Sequence, residues 1–249
     1  MCRHLAYLGP PTPLAGLLFD PPHSLNHQSW APREMRGGGT INADGFGVGW
    51  HTPGGAVIYR RHTPIWSDTT LPGLAAAVSS GAILAAVRSA TTGMPVTETA
   101  AAPFGEGPWL FSHNGVVAGW PTSVAKLAGT LPVNDLLTMP APTDAALLWV
   151  LVRDRLRAGA PLAAAVTGVV AEVLRGAPGS RLNLLLTDGV SLAATAVGHS
   201  LSYIFDFSIN TVVVASEPLD DRPAWRPVPD GTLLTASPTN LTLTPLGEA

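Results

Sequence analysis

Apolar residues along the chain fall mostly into short runs interrupted by Gly, Pro, Asn and Asp, and such runs read as β-strands. The pattern predicts strands at Arg3–Leu8, Phe46–Trp50, Ala56–Arg60, Ala82–Val87, Trp109–His113 and Val116–Trp120. A second set follows at Leu182–Thr187, Ser191–Val197, Leu201–Phe207, Thr211–Ala215 and Thr232–Ala236. Pro53-Gly54-Gly55, Asn114-Gly115 and Asp188-Gly189 mark turns between them. Two longer stretches lie between the two sets. Thr143–Ala158 opens on an N-cap threonine and spaces Leu147, Leu148, Leu151 and Leu156 as a helix does. Pro161–Arg175 begins with a proline suited to a first helical turn and stops before Gly176. Leu74–Ser79 predicts a third, shorter helix. Strands, paired helices and strands again define an α+β chain, and two antiparallel sheets with helices outside them accommodate every element.

No internal repeat is visible, and no Pro/Gly/Ser-rich linker divides the 249 residues, so one domain spanning 1–249 is expected. Charged residues make up 12% and the net charge is -3, which argues against a nucleic-acid partner. The longest candidate membrane span, Leu71–Val87, is broken by Pro72, two glycines and two serines, so no membrane partner is expected. The N-terminus lacks the continuous apolar stretch of a signal peptide. With one unpaired thiol, the expected location is the cytoplasm.

That thiol is Cys2, directly after the initiator methionine. Removal of Met1 would leave Cys2 with a free α-amine, whose pKa of about 7.7–8.0 leaves it partly neutral near pH 7. Nucleophile and base then come from one residue. The other reading is a small, inert residue at the start of a strand. Asn114 and Gly115 read as a hairpin turn, as two donors, a side-chain amide and a backbone N–H, for a developing oxyanion, or as both, since a tight turn is a rigid platform for two donors. Arg88 ends an apolar run, where it either forms a structural ion pair or grips a carboxylate. Asp144 sits at a helix start, where acids are favoured in any case, or holds an ammonium group.

The run NADGFGVGW is not a dinucleotide fingerprint, and Gly45, Gly47 and Gly49 read better as points of close backbone approach. His23 and His27 lack a carboxylate at ligand spacing and read as solvated, so no metal and no cofactor are expected.

Cys2, DGFG, RSATTG, HNG and TDAA occur in the order seen in class II glutamine amidotransferase domains, the N-terminal-nucleophile hydrolases that the chain resembles over nearly its whole length. The likeness is closest to the stand-alone γ-glutamyl amidohydrolases of ergothioneine biosynthesis. It is carried by MCRHLAYLG, QSWAPREMRGGGTINADGFGVGW, LAAVRSATTGMPV, APF, LFSHNGVV, RLNLLLTDG and ASEPLDDRPAW. The resemblance implies a four-layer αββα sandwich and a small-molecule γ-glutamyl substrate. It implies Cys2 as nucleophile, Asn114 and Gly115 as the oxyanion hole, Arg88 on the substrate α-carboxylate and Asp144 on its α-ammonium. Thr91 is similar to a threonine lining the same pocket. The expected reaction is hydrolysis of a γ-glutamyl amide through a Cys2 thioester. The alternatives are a glutaminase supplying ammonia to a separate synthase, and an inactive binding protein on the same fold. No oligomeric state is predicted.

One departure stands out. Ala100 and Ala102 occupy TETAAAPF where many members carry Asn and His, which puts the wall of the glutamyl pocket, or its route to a partner site, in question. For a trimethylammonium group on the leaving half of the substrate, Trp30, Trp50 and Trp66 are the aromatic candidates, each more readily read as ordinary core or surface packing. Residues 33–40 hold three consecutive glycines and read as a mobile loop.

Overall fold

The structure is a computed structural model, and it describes residues 2–34, 36 and 41–247. Thirteen strands are formed among the described residues. They are β1 (Arg3–Pro13), β2 (Phe46–Thr52), β3 (Gly55–Arg61), β4 (Ser79–Val87), β5 (Phe104–Glu106), β6 (Trp109–Val116), β7 (Arg181–Thr187), β8 (Leu192–Ala196), β9 (Ser202–Asp206), β10 (Thr211–Ala215), β11 (Arg226–Pro227), β12 (Thr232–Ser237) and β13 (Asn240–Pro245). Short helices α1 (Ala15–Leu18), α2 (Leu25–Gln28), α3 (Leu71–Ala77), α4 (Ala125–Ala128) and α5 (Val133–Leu137) accompany two long ones, α6 (Asp144–Arg157) and α7 (Leu162–Gly176). The strands build a seven-stranded sheet ordered β11-β9-β10-β1-β4-β2-β3 and a six-stranded sheet ordered β13-β12-β8-β7-β6-β5, with antiparallel pairing throughout.

Period-two alternation along the strands explains the four layers. Ala6 and Leu8 of β1, Leu84 of β4, and Val212 and Val214 of β10 meet Leu110, Leu185, Ala194 and Leu234 of the other sheet in one buried cluster. Their neighbours Leu5, Tyr7, Ile83 and Val213 point the opposite way and pack with Leu14, Leu17, Leu18, Leu25 and Leu71 around α1–α3. Phe111, Leu184 and Leu186 of the second sheet pack against Leu147, Leu148, Leu151, Val166 and Val169 of α6 and α7. Both faces of the central strands are therefore buried, which is why these runs are apolar without the polar alternation of a half-exposed sheet. The expected α+β arrangement of helix, sheet, sheet and helix is what the chain forms.

Several elements differ from the sequence reading. The Asn-Gly pair is not a hairpin turn: Asn114 and Gly115 lie inside β6, opposite Asn183 and Leu182 of β7. The long-range partner overrides the local turn preference, and residues 116–120 leave the sheet after Val116 instead of forming a strand. The third helix starts earlier, at Leu71, and ends at Ala77, because Ser79 already pairs in β4. Strand β1 runs on to Pro13. Pro10 and Pro11 fall at a register shift between Leu8 and Thr12, where ladder bonds are interrupted and a missing N–H costs little, and Pro13 ends the strand opposite Ser79. Strand β5 and the shorter helices carry too few residues for a periodic signal, whereas β13, whose NLTLTP alternates Leu241 and Leu243 with polar residues, is an edge strand the sequence reading did not assign.

Strand β2 shows what its glycines do. Phe46, Val48 and Trp50 face the α1–α3 layer, whereas Gly47 and Gly49 face the second sheet. A Cβ on Gly47 would collide with the carbonyl oxygen of Ala102, and one on Gly49 would press on Leu110 and Pro103. The bare face lets the 101–103 segment lie directly on β2. We predict that Gly47→Ala forces this edge apart and costs about 1–3 kcal/mol of stability. Thermal unfolding of the variant measures it, and an unchanged melting temperature would contradict the close approach.

Candidate active site

Cys2, Arg88, Thr91, Gly115 and Asp144 line one pocket, with Ser89, Ala90, Met94, His113, Thr143 and Ala145 completing its wall. It is a narrow cleft with a cavity volume of about 30 Å³. It lies where the start of β1, the segment after β4, the end of β6 and the N-terminus of α6 converge. Five of the six residues expected at the site thus meet in one place. The sixth, Asn114, is buried beside Gly115 and does not line the cleft.

Each side chain is held by local backbone chemistry. The Cys2 thiol is half-buried, 3.8 Å from the carbonyl oxygen of Ser89. The Cys2 carbonyl accepts from Arg3 Nη1 at 3.0 Å, and Arg3 Nη2 donates to the carbonyl of Glu34. Burial lowers the Arg3 pKa from its ordinary value, and the nearby Glu217 charge works against that. Glu217 is itself buried and accepts from the backbone N–H groups of Arg33 and Glu34 at 2.9 and 2.7 Å. This cluster fixes the backbone that carries the thiol.

The DGFG stretch braces the arginine. Arg88 N donates to the Gly45 carbonyl at 2.7 Å, Asp44 N donates to the Arg88 carbonyl at 2.9 Å, and Asp44 Oδ2 accepts from Ala90 N at 2.8 Å. Arg88 Nη1 donates to the Pro95 carbonyl at 2.9 Å. A guanidinium carries five N–H donors, so others remain for an anion. Across the pocket, Thr143 caps α6 by accepting from Ala146 N, as expected. Asp144 Oδ1 accepts from Ala145 N at 2.8 Å and Oδ2 from Val117 N at 3.0 Å. Two bonds leave about half of a carboxylate's acceptor capacity unused. One cation and one anion thus flank the same small cleft beside a thiol.

Gly115 is at the pocket wall for a steric reason. A Cβ there would overlap the carbonyl of Arg181 on the paired strand and crowd His113 Nε2. Asn114 donates from Nδ2 to Ser216 Oγ at 3.4 Å.

None of Trp30, Trp50 and Trp66 lines the pocket, in line with the packing reading of each. Trp50 is in the core, the Trp30 ring packs edge-on to His27, and Trp66 is exposed on a short 3-10 turn. Ala100 and Ala102 do not line it either, because their segment packs on the bare face of β2. His23 is not simply solvated: its Nε2 pairs with Asp221 Oδ1 at 3.1 Å. Of the 33–40 stretch, positions 35 and 37–40 lie outside the described residues. Among the described residues no group of three or more His, Cys, Asp or Glu is arranged to hold a metal, and no helix is long and apolar enough to cross a membrane.

Sequence reasoning missed a buried polar layer behind the pocket. His4 Nδ1 and Ser112 Oγ are 2.8 Å apart, joining β1 to β6 across the two sheets. Asn183 bonds through its side chain to the backbone of Val197, His199 and Ser200, and Arg181 Nε donates to His199 Nε2 at 3.0 Å. The one visible signal was a polar residue inside an otherwise apolar strand, as in RLNLLLT.

Burial pushes the His4 imidazole well below its ordinary range, and His113, His199 and Arg3 act in the same direction. Burial, then Arg181 and Arg3, lowers His199 from 6.5 to about 4. The unfolded chain takes up these protons near 6.5, whereas the folded protein does not until about 4 for His199. Between those values the unfolded state binds more protons, so lower pH favours unfolding. We predict that the melting temperature falls as pH drops from about 6.5 toward about 4 and that His199→Asn reduces the fall. A flat profile across that window would contradict neutral buried imidazoles.

The Glutamine amidotransferases class-II family matches residues 13–206, and the chain belongs to that family. The chain is 40% identical over 247 residues to the gamma-glutamyl-hercynylcysteine sulfoxide hydrolase of Mycolicibacterium smegmatis, covering 99% of this chain and 100% of that protein. A protein of the same name from Mycobacterium tuberculosis is 38% identical over 249 residues, covering 100% and 98%. Among solved structures, a glutamine aminotransferase class-II domain protein from Silicibacter pomeroyi superposes with a TM-score of 0.70 at 24% identity, covering 98% of this chain and 99% of that one. That likeness bears on the fold, and it agrees with the sandwich described above.

Proposed function

We propose that this chain hydrolyses the γ-glutamyl amide bond of γ-glutamyl hercynylcysteine sulfoxide, releasing glutamate and hercynylcysteine sulfoxide. The reading takes residues 1–249 as one catalytic domain with Cys2 as the mature N-terminus, acting in the cytoplasm without a cofactor. The observation that carries it is the grouping of a thiol, a guanidinium and a carboxylate around one cleft in a chain 40% identical to an enzyme of that name.

The chemistry follows from the charges. A γ-glutamyl group bears a carboxylate and an ammonium at one end and the scissile amide at the other. Arg88 takes the carboxylate and Asp144 the ammonium, with Thr91 beside them, so the unreactive end is fixed and the amide carbonyl is presented to Cys2. The α-amine of Cys2 accepts the thiol proton, and the sulfur attacks the carbonyl carbon. The Gly115 N–H and the Asn114 amide stabilise the oxyanion, a donor of this kind contributing about 2.7–4 kcal/mol. The α-ammonium then protonates the departing nitrogen, and a γ-glutamyl thioester remains on Cys2. Water, deprotonated by the same amine, attacks the thioester and releases glutamate.

Turnover of γ-glutamyl hercynylcysteine sulfoxide and of glutamine, measured side by side, tests the substrate assignment. The expected kcat/KM favours the sulfoxide by about 100-fold or more, because its larger leaving half adds binding that ammonia cannot offer. Preference for glutamine would overturn it in favour of a glutaminase. Arg88→Ala is expected to raise KM and lower kcat/KM by about 100-fold, the loss of a charge-assisted bidentate contact. An unaffected kcat/KM would remove Arg88 from the pocket's chemistry.

A further inference from the structure

We propose that Ser216 is a positioning residue for Asn114, orienting its buried amide behind the Gly115 wall of the cleft. The inference rests on the reading of Asn114 as an oxyanion donor.

The geometry around Ser216 is unusual for a strand end. The β1–β10 ladder pairs Leu5 with Ala215, so Ser216 comes next, opposite His4. Ser216 N donates to the His4 carbonyl at 2.9 Å. In an ordinary hydrogen-bonded antiparallel pair the return bond would run from His4 N to the Ser216 carbonyl. Here His4 N donates instead to Ser216 Oγ at 3.0 Å, and the Ser216 carbonyl accepts from Ser200 Oγ at 2.8 Å. The hydroxyl has taken the carbonyl's place in the ladder. Its rotation is thereby fixed, in a residue that is completely buried.

The same oxygen receives Asn114 Nδ2 from β6, in the other sheet. Ser112 and Asn114 lie two apart on β6 and share the face turned toward β1, and Ser112 meets the His4 ring. Asn114 Oδ1 is buried and has no hydrogen-bond partner among the described residues. Ser216 is therefore the one hydrogen bond that orients the Asn114 amide among those residues. An amide nitrogen has two N–H groups. One is engaged by Ser216, and the other is left for the oxyanion. Because Ser216 Oγ is also tied to His4, two residues after Cys2, the chain Asn114–Ser216–His4 sets the donor relative to the nucleophile's own strand. Without the hydroxyl, the Asn114 side chain is free to turn, and a donor displaced by about 1 Å loses much of its effect.

Steady-state kinetics on γ-glutamyl hercynylcysteine sulfoxide, and on glutamine in parallel, test this with four variants. Ser216→Ala is expected to lower kcat about tenfold or more with KM within about twofold, since the bond acts on the transition state and not on substrate binding. Ser216→Thr, which keeps the oxygen, is expected to recover most of kcat. Asn114→Ala is expected to lower kcat about 100-fold. Adding Ser216→Ala to Asn114→Ala should cost nothing further in kcat, because the group being positioned is gone. Circular dichroism and melting confirm that each variant is folded. Should Ser216→Ala fail to fold, Ser216→Cys replaces it, with the same loss of kcat expected from its weaker acceptor. Unchanged kcat in Ser216→Ala or its replacement, or an equal loss in the Asn114→Ala background, would overturn the positioning role. An active Asn114→Ala enzyme would instead sink the oxyanion reading on which it rests.

Discussion

The pocket depends on the registration of β1 against β6, two strands that belong to different sheets. Cys2 precedes the first strand, and Gly115 lies near the end of the second. No backbone ladder joins them. Buried polar contacts do: the His4 ring meets Ser112, and Ser216 links His4 to Asn114. Apolar packing between sheets is broad and non-directional, and it tolerates small slips. Hydrogen bonds in a buried layer do not, because each group left unpaired there costs about 1–3 kcal/mol. The inter-sheet layer thus combines an apolar cluster that supplies most of the adhesion with a few polar pins at the catalytic end that set the alignment.

The same logic extends to the substrate side. Arg88 is fixed by the Asp44–Gly45 backbone, and Asp144 by the N-terminus of α6 and Val117 N. Both charges keep part of their hydrogen-bonding capacity for a ligand. The pocket is a narrow cleft lined by the residues around Cys2. The leaving half must then extend beyond the residues around Cys2, and none of the three candidate tryptophans reaches the cleft.

Much of this was legible in the residues, and the parts that were not share a physical cause. The strands with both faces buried announce themselves as apolar runs, and the Thr143 cap and the Pro161 start gave the long helices to within a residue or two. The site motifs were readable because each joins a chemical group to a special backbone need, as at Gly115, where the neighbouring carbonyl leaves no room for a side chain. What failed was local inference where a distant partner decides. Asn114-Gly115 has the composition of a hairpin, yet β7, far along the chain, claims it. The supporting residues His4, Asn183, Ser216 and Glu217 carry no spacing that distinguishes them, since their partners come from other strands and loops. The tryptophans lie in core or surface packing, the reading the sequence favoured for them, and the place of the alanines before Pro103, which the sequence left open, is set by tertiary packing.

The central claim is that Cys2, as a free amino-terminal residue, carries the acyl group. Intact-protein and peptide mass spectrometry after incubation with a glutamyl affinity label, such as an electrophilic glutamine analogue, addresses it directly. The account predicts a protein lacking Met1 with a single adduct on the Cys2 sulfur and complete loss of turnover. Active enzyme that retains Met1, or inactivation with the label on another residue, would contradict it.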